Sequence, residues 1–240
     1  MDVLQSFEVD QISIGYSSRL FKATSIIDMG MMGGAMVKPG NGLNTAAQDK
    51  KLISDLSSAG KIKEARNILQ PHVNLAKNAT NYVDKRAALN EIIDRLDVSS
   101  TKEKVFWSGD VKLAGDYAAK NGKTILEQTS GGKVINNWDE LNDIFTWEKN
   151  DLGPYGWDLW GEVSTNYANG ALGNIETIQT ANRFPLGGAT WKNRVWPSLY
   201  KNPYVDDITI KRVNSSGNIE ESVTVYSKSD EALKLFGSIF

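Results

Sequence analysis

The first hundred residues carry apolar side chains at the three- and four-residue spacing that is typical of helices. The two clearest stripes are Ile62, Ala65, Ile68 and Leu69, and Leu89, Ile92, Ile93 and Leu96. Asn44 or Thr45 can cap an earlier helix that runs through Ser58 and ends at Gly60. Pro71 should end the first striped helix, because proline lacks a backbone N–H. The pattern predicts a helical N-terminal region.

After residue 100, helical and strand-like patterns alternate. Ser108 can cap a helix that residues 121–122 stop, and the β-compatible run 124–129 follows it. A second unit of the same kind pairs an apolar helical face in 157–171 with a strand at 174–179. This alternation of helix and strand predicts a small α/β domain.

Two further strands are predicted near the end of the chain, at 205–213 and 221–227. The polar, Gly-containing segment 214–218 between them is a hairpin-type connection. The predicted fold class is α+β or α/β, with a helical N-terminal region in front of the α/β domain. We place the domain boundary near 99–101, a polar turn-forming run, which gives domains at 1–100 and 101–240.

Composition separates the same two regions. All five Met lie within residues 1–36, and all seven Trp lie between Trp107 and Trp196. The Met- and Gly-rich segment 29–36 suits a surface that adapts to a partner or enters a membrane transiently, and it equally suits a buried loop.

The N-terminus shows no signal-peptide pattern and the chain shows no apolar run long enough to span a membrane.

Charge and residue counts exclude several kinds of chemistry. The chain has 27 basic and 29 acidic residues, so its net charge of −2 gives no general attraction to nucleic acid. It has no Cys and a single His, His72, which excludes disulfides, thiol nucleophiles and cysteine zinc sites. We expect no metal site, and we expect His72 to lie in a turn after Pro71.

Carboxylates and aromatic rings remain as candidates for binding and catalysis. Glu127 lies in the β-compatible run between apolar and amide neighbours, where a carboxylate must find a partner or change its pKa. Trp107 and Trp160 could line a cleft for a flat, sugar-bearing ligand, although Trp on a helical face is more often part of the core. Ser164 has no histidine base to make it a nucleophile.

These residues form two similar stretches that together resemble a known family. The first stretch contains Phe106, Trp107 and Ser108, then Ala114, Tyr117 and Ala118, then Ile125 to Thr129 and Gly132. The second contains Leu159 to Ser164, then Tyr167, Ala168 and Ala171. Their order and spacing resemble those of ADP-ribosyl cyclases and NAD glycohydrolases over about residues 105–213. The resemblance implies an ADP-ribosyl cyclase-like architecture for the α/β domain.

The same region also resembles the C-terminal toxin domains of bacterial polymorphic toxins of the contact-dependent inhibition and Rhs types. The segments that carry this likeness are 106–109, 126–129 and 202–205. The absence of Cys favours the bacterial comparison, because animal cyclases are rich in disulfides. The resemblance leaves two roles open for residues 1–100: a delivery or cytosol-entry segment, or the helical subdomain that precedes this site in cyclases.

The family resemblance implies NAD as substrate and no separate cofactor. Trp107 and Trp160 would stack on nicotinamide or adenine, and Glu127 would hold the nicotinamide amide or the ribose as the catalytic carboxylate. Ser164 would bind a phosphate or a ribose hydroxyl, and Ser108 and Thr129 would complete the substrate-binding set. The toxin resemblance implies a cognate immunity protein, a receptor on the target cell, export or surface delivery by the producer, and action in the target-cell cytoplasm.

One position departs from the family pattern. Extending the alignment without gaps from Trp191 places Val195 where the family has a catalytic Glu. Either Glu127, Glu176 or a nearby Asp takes over this function, or the alignment has slipped, or the chain is a degenerate nucleotide- or partner-binding module. A nuclease toxin is a third hypothesis, disfavoured by the single His and the near-neutral charge.

Overall fold

The computed structural model describes residues 45–145 and 155–237, with side chains described for residues 45–145 and 159–235. The Met-rich segment 29–36, the alternative cap Asn44 and the side chain of Trp157 lie outside the described part, so the predictions for them stay predictions. The division of the chain into 1–100 and 101–240 also stays a prediction.

Three helices open the described chain: α1 (Ala46–Ser58), α2 (Ile62–Asn78) and α3 (Tyr82–Asp94). Thr45 caps α1 in a reciprocal pair with Gln48, in which each side chain accepts the other residue's backbone N–H. The predicted cap and end of α1 are confirmed.

The prediction that Pro71 ends α2 was wrong. The helix continues for seven residues past Pro71, which is exposed. Leu69, Val73 and Ala76 on the opposite face are fully buried, and their burial outweighs the lost backbone hydrogen bond. His72 therefore lies in the helix rather than in a turn, half-buried, and its Nδ1 has no hydrogen-bond partner among the described residues.

The rest of the chain alternates short helices with four strands. The helices are α4 (Val111–Lys120), α5 (Ser130–Ile135), α6 (Asp139–Ile144), α7 (Tyr155–Asn169), α8 (Trp196–Lys201) and α9 (Glu231–Gly237). The strands are β1 (Val105–Ser108), β2 (Gly173–Thr180), β3 (Val205–Val213) and β4 (Ile219–Ser227). A 3₁₀ turn at Leu126–Gln128 and a π-helical turn at Trp191–Val195 complete the described elements.

Two local predictions in this region need correction. Asp110, not Ser108, caps α4, because its carboxylate accepts the backbone N–H groups of Lys112 and Leu113 while Ser108 ends β1. The run 124–129 forms the 3₁₀ turn rather than a strand, with a single bridge from Thr124 to Lys104.

The four strands form one sheet in the order β1-β2-β3-β4. The first three are parallel, and β4 returns antiparallel to β3 as a hairpin. The strands predicted at 174–179, 205–213 and 221–227 are thus confirmed, as is the mixed α+β class. Because β1 and β2 are parallel, their carboxyl ends lie side by side, and loops after both strands meet there.

Helices cover both faces of the sheet. The larger apolar cluster joins α1–α3 with α5–α8 and one sheet face, and Phe106, Ile175 and Ile208 are among the sheet residues that it contains. A smaller cluster on the other face packs α4 through Ala114 and Ala118. None of the helices within the described residues combines the length and apolarity needed to cross a bilayer.

Candidate functional site

A cavity of about 780 Å³ opens at the carboxyl end of β1. This volume suits a ligand the size of a nucleotide, and the carboxyl ends of parallel strands are the usual ligand sites of such sheets. Five of the six site residues predicted from the sequence line it: Trp107, Ser108, Glu127, Trp160 and Ser164. The five residues lie on three separate elements, β1, the 3₁₀ turn and α7, which the fold brings together around one cavity.

Glu127 lies on the 3₁₀ turn and faces Trp107 on β1. The Trp107 indole N–H donates to both carboxylate oxygens of Glu127, at 3.1 Å each. Burial raises the pKa of Glu127 above its usual value, and the hydrogen bond from Trp107 partly opposes this rise. The site thus holds a largely buried carboxylate that lines the cavity and accepts a hydrogen bond from the Trp107 indole.

The sixth predicted residue, Thr129, does not line the cavity, and it holds the Glu127 turn in place. Its hydroxyl donates to the Leu126 carbonyl oxygen at 2.6 Å and accepts the backbone N–H of Gly132 at 3.0 Å, as the N-cap of α5. A Cβ at Gly132 would lie 1.9 Å from the Leu126 carbonyl oxygen, so this approach requires glycine. Thr129 therefore fixes the backbone of the turn that carries Glu127.

Helix α7 supplies the facing wall. Trp160 and Ser164 are four residues apart, and Tyr167 follows three residues later on the same face, so all three line the cavity. The buried Tyr167 hydroxyl donates to the Thr124 carbonyl oxygen at 2.8 Å. Burial and the negative charge of Glu127 both raise the pKa of Tyr167, so this hydroxyl stays protonated.

Sequence reasoning missed several polar residues of the cavity. Asn136, Asn137, Asn142 and Arg183 line it, all from loops or a short helix without hydrophobic periodicity. Asn137 has φ of 53°, a left-handed conformation that asparagine tolerates better than most residues. The adjacent Asn pair before Trp138 was the available signal for a special turn, although it did not indicate a binding site.

Of the two glutamates considered as candidates for the catalytic carboxylate, Glu127 lines the cavity and Glu176 does not. Val195 lines the cavity but carries no charge. Glu176 does not line it, and instead accepts hydrogen bonds from Tyr117, Lys123 and Lys211 beside α4. These partners overcome the effect of burial and lower the pKa of Glu176 to about 2. Among the described lining residues, Glu127 is the one carboxylate.

No metal centre emerges from residues 45–145 and 159–235, since no three His, Asp or Glu side chains there converge in a way that could hold an ion. Binding groups in the described part of the cavity are therefore indole rings, amides, hydroxyls, Glu127 and Arg183.

No protein-family model matches the sequence, and no curated protein matches it either. Among solved structures, one of CD38 is 16% identical, covers 80% of this chain and 86% of its own, and has a TM-score of 0.47. An ADP ribosyl cyclase complexed with N1-cIDPR is 16% identical and covers 66% of this chain, with a TM-score of 0.43. An Aplysia cyclase complexed with substrate NGD and product cGDPR is 19% identical and covers 55% of this chain, with a TM-score of 0.38.

The match spans 65% and 56% of these two cyclase chains, less than two thirds of their length. At these levels of identity and superposition, the likeness assigns no activity to the chain.

Proposed function

We propose that the cavity binds NAD and that the chain cleaves the nicotinamide glycosidic bond. The observation that carries this proposal is the carboxylate of Glu127, desolvated and hydrogen-bonded to Trp107 inside a cavity of nucleotide size. Such a group suits a reaction in which positive charge develops on a sugar, because a carboxylate in a low-dielectric site stabilises a nearby cation strongly.

The proposed reaction needs no strong acid. The bond between ribose C1′ and the nicotinamide nitrogen breaks, and its electron pair goes to the ring nitrogen, so the cationic pyridinium leaves as neutral nicotinamide. The ribosyl cation left behind lies against Glu127. Water then adds to C1′ and releases a proton to give ADP-ribose, or an adenine nitrogen adds to give the cyclic product. A chain with one His can perform this chemistry.

Aromatic walls supply the binding energy in this proposal. The rings of Trp107 and Trp160 would stack on the flat ends of the substrate, as indoles do with nucleobases and related rings. The Ser164 hydroxyl, one helical turn from Trp160, would bind a ribose hydroxyl or a phosphate oxygen.

The test is incubation of the purified chain with NAD, following nicotinamide, ADP-ribose and cyclic ADP-ribose by chromatography. We expect Glu127→Gln to abolish nicotinamide release, and Trp160→Ala to reduce it mainly through a higher KM. Glu64→Gln is the matched control, because Glu64 is exposed on α2 and lies outside the cavity. Absence of nicotinamide release by the unmodified chain, or full release by Glu127→Gln, would overturn the proposal.

A second candidate is a binding module that holds NAD without cleaving it. Val195 favours this candidate, because it leaves the cavity one carboxylate short of the family pattern. Calorimetric binding of NAD without nicotinamide release would identify it.

We also propose that the chain is a bacterial toxin domain delivered into a competitor's cytoplasm and neutralised by a cognate immunity protein. The segments 106–109 and 126–129, which resemble polymorphic toxin domains, support this role. The test is expression of the chain in the bacterial cytoplasm. We expect the NAD content and growth to fall, Glu127→Gln to restore both, and the co-expressed immunity protein to restore both without loss of the toxin domain.

A further inference from the structure

We propose that Arg183, which lines the same cavity as Glu127, binds the diphosphate of the substrate. This inference deepens the proposed function and rests on it for the identity of the substrate. It assigns the phosphate-binding group to the loop that follows β2, where the sequence patterns predicted no site residue.

The charges of the cavity match such a ligand. Among its described lining residues, Glu127 and Arg183 are the charged ones, with opposite signs. NAD also carries opposite charges at separate places, a cationic pyridinium on one ribose and an anionic diphosphate in its middle. A cavity with one acid and one base favours a ligand that presents both charges over one that presents a single sign.

The loop that carries Arg183 is fixed against β1. Arg183 lies three residues beyond the end of β2, its backbone N–H donates to the Thr180 carbonyl oxygen at 2.8 Å, and its own carbonyl oxygen accepts the N–H of Gly187. Thr180 packs on Gly109, where φ is 120° and a Cβ would lie 2.0 Å from the Thr180 hydroxyl oxygen. This contact requires glycine and anchors the start of the loop.

A second anchor places Arg183 beside a hydroxyl group. The backbone N–H of Gly188 donates to the Ser108 hydroxyl oxygen at 2.7 Å, which fixes the end of the loop. A Cβ at Gly188 would lie 3.2 Å from that oxygen and 3.7 Å from an Arg183 guanidinium nitrogen. The guanidinium and the hydroxyl therefore lie on the same side of Gly188. Ser108 keeps its own proton to donate, so the two groups together can bind phosphate oxygens.

Arg183 is available for this interaction. Its side chain is exposed, and no acid in the described part of the chain pairs with it. The other five described arginines all have hydrogen-bonded or ionic partners: Arg66, Arg86, Arg95, Arg194 and Arg212. A positioned guanidinium without a partner is well suited to bidentate binding of a phosphate.

Calorimetry with ADP and adenosine tests the proposal, because the two ligands differ in the diphosphate. We expect the unmodified chain to bind ADP more tightly than adenosine, and Arg183→Gln to weaken ADP binding by about tenfold or more while adenosine binding stays the same. Lys192→Gln is the control: Lys192 is exposed, carries the same charge and lies outside the cavity lining. It should bind ADP as the unmodified chain does.

Three results would overturn the assignment: no preference for ADP over adenosine in the unmodified chain, unchanged ADP binding by Arg183→Gln, or an equal loss in Lys192→Gln. Failure of the proposed function is a separate result. If ADP binding depends on Arg183 but NAD releases no nicotinamide, the phosphate site stands and the cleavage reaction does not. If NAD is cleaved and Arg183→Gln leaves the KM for NAD unchanged, the cleavage reaction stands and the phosphate site does not.

Discussion

Trp107 donates its indole N–H to both carboxylate oxygens of Glu127, at 3.1 Å each. The two residues come from β1 and from the 3₁₀ turn at Leu126–Gln128, twenty positions apart in the sequence. The contact stabilises the charged form of a carboxylate whose charge burial otherwise disfavours. Trp107 therefore opposes part of the effect that burial has on the pKa of Glu127.

Replacing Trp107 by Phe should test the effect of this hydrogen bond on the pKa of Glu127, since Phe keeps an aromatic ring and removes the N–H. We expect the pKa of Glu127 to rise further, so that the acid limb of the rate profile moves to higher pH. Because the proposed reaction needs the ionised carboxylate, kcat should also fall by about tenfold at pH 7, with a smaller effect on KM. The measurement is nicotinamide release against pH, and an unmoved acid limb would contradict the prediction.

Glu127→Gln should stabilise the protein at neutral pH. Burial raises the pKa of Glu127 in the folded state above the unfolded value, so the folded state binds more protons between the two values. The stability of the unmodified chain therefore falls as pH rises through that window, and the uncharged Gln avoids this loss. Urea unfolding at pH 4 and pH 7 is the measurement. A variant less stable than the unmodified chain at pH 7 would show that Glu127 is not destabilised by burial.

Three of the four strands could be predicted from the sequence because their signals are local, whereas the four-residue β1 was not predicted. Segments 205–213 and 221–227 alternate apolar and polar residues around a hairpin turn, and β3 and β4 form there. The run 124–129 carries equally strand-like residues but folds into a turn. The Gln128 side chain accepts the backbone N–H of Ile125, the Thr129 hydroxyl donates to the Leu126 carbonyl oxygen, and Gly132 packs closely against the turn. Such contacts depend on individual polar residues and glycines, which the pattern of apolar positions along the sequence does not reveal.

The candidate site could be predicted only in part, for a similar reason. Trp107, Trp160 and Ser164 were found because they lie in motifs with family-like spacing. Arg183 lies in a loop without periodicity, and it reaches the cavity because β1 and β2 run parallel and end together. The adjacency of β1 and β2 follows from the order of strands in the sheet, which the sequence patterns did not predict.

Glu176→Gln should separate structural from catalytic carboxylates. The pKa of Glu176 is about 2 in the fold, so its stabilising contribution is present above the ordinary Glu pKa and is lost as pH falls towards 2. Removing its charge leaves Lys123 and Lys211 facing each other, and we expect a loss of about 2 kcal/mol in stability at pH 7. Nicotinamide release per folded molecule should stay unchanged; a loss comparable to that of Glu127→Gln would place Glu176 in the mechanism.

Lys104 should make stability depend on alkaline pH. Its buried ammonium group donates to the Tyr167 carbonyl oxygen at 2.8 Å, and burial lowers its pKa to about 8. The unfolded state therefore binds more protons than the folded state between about pH 8 and the ordinary lysine pKa of 10.5, so stability rises with pH in this window. We expect Lys104→Met to flatten that rise and the exposed control Lys102→Met to keep it, as measured by urea unfolding. Parallel curves for Lys104→Met and the unmodified chain would contradict the prediction.

Gly132→Ala should damage the site through the backbone. A methyl group at this position would lie 1.9 Å from the Leu126 carbonyl oxygen, so the turn that carries Glu127 must shift. We expect a loss of about 3 kcal/mol in stability, as for other overpacked backbone contacts, together with at least a tenfold fall in nicotinamide release per folded molecule.

Gly60→Ala provides the comparison for this effect. Gly60 has φ of 76°, but a Cβ there would meet no atom within 4 Å, so the variant should lose about 1 kcal/mol from backbone strain alone. Its activity per folded molecule should match that of the unmodified chain. If Gly132→Ala behaved like Gly60→Ala in both measurements, the turn would accommodate the methyl group without moving Glu127, and close packing behind the carboxylate would not be what positions it.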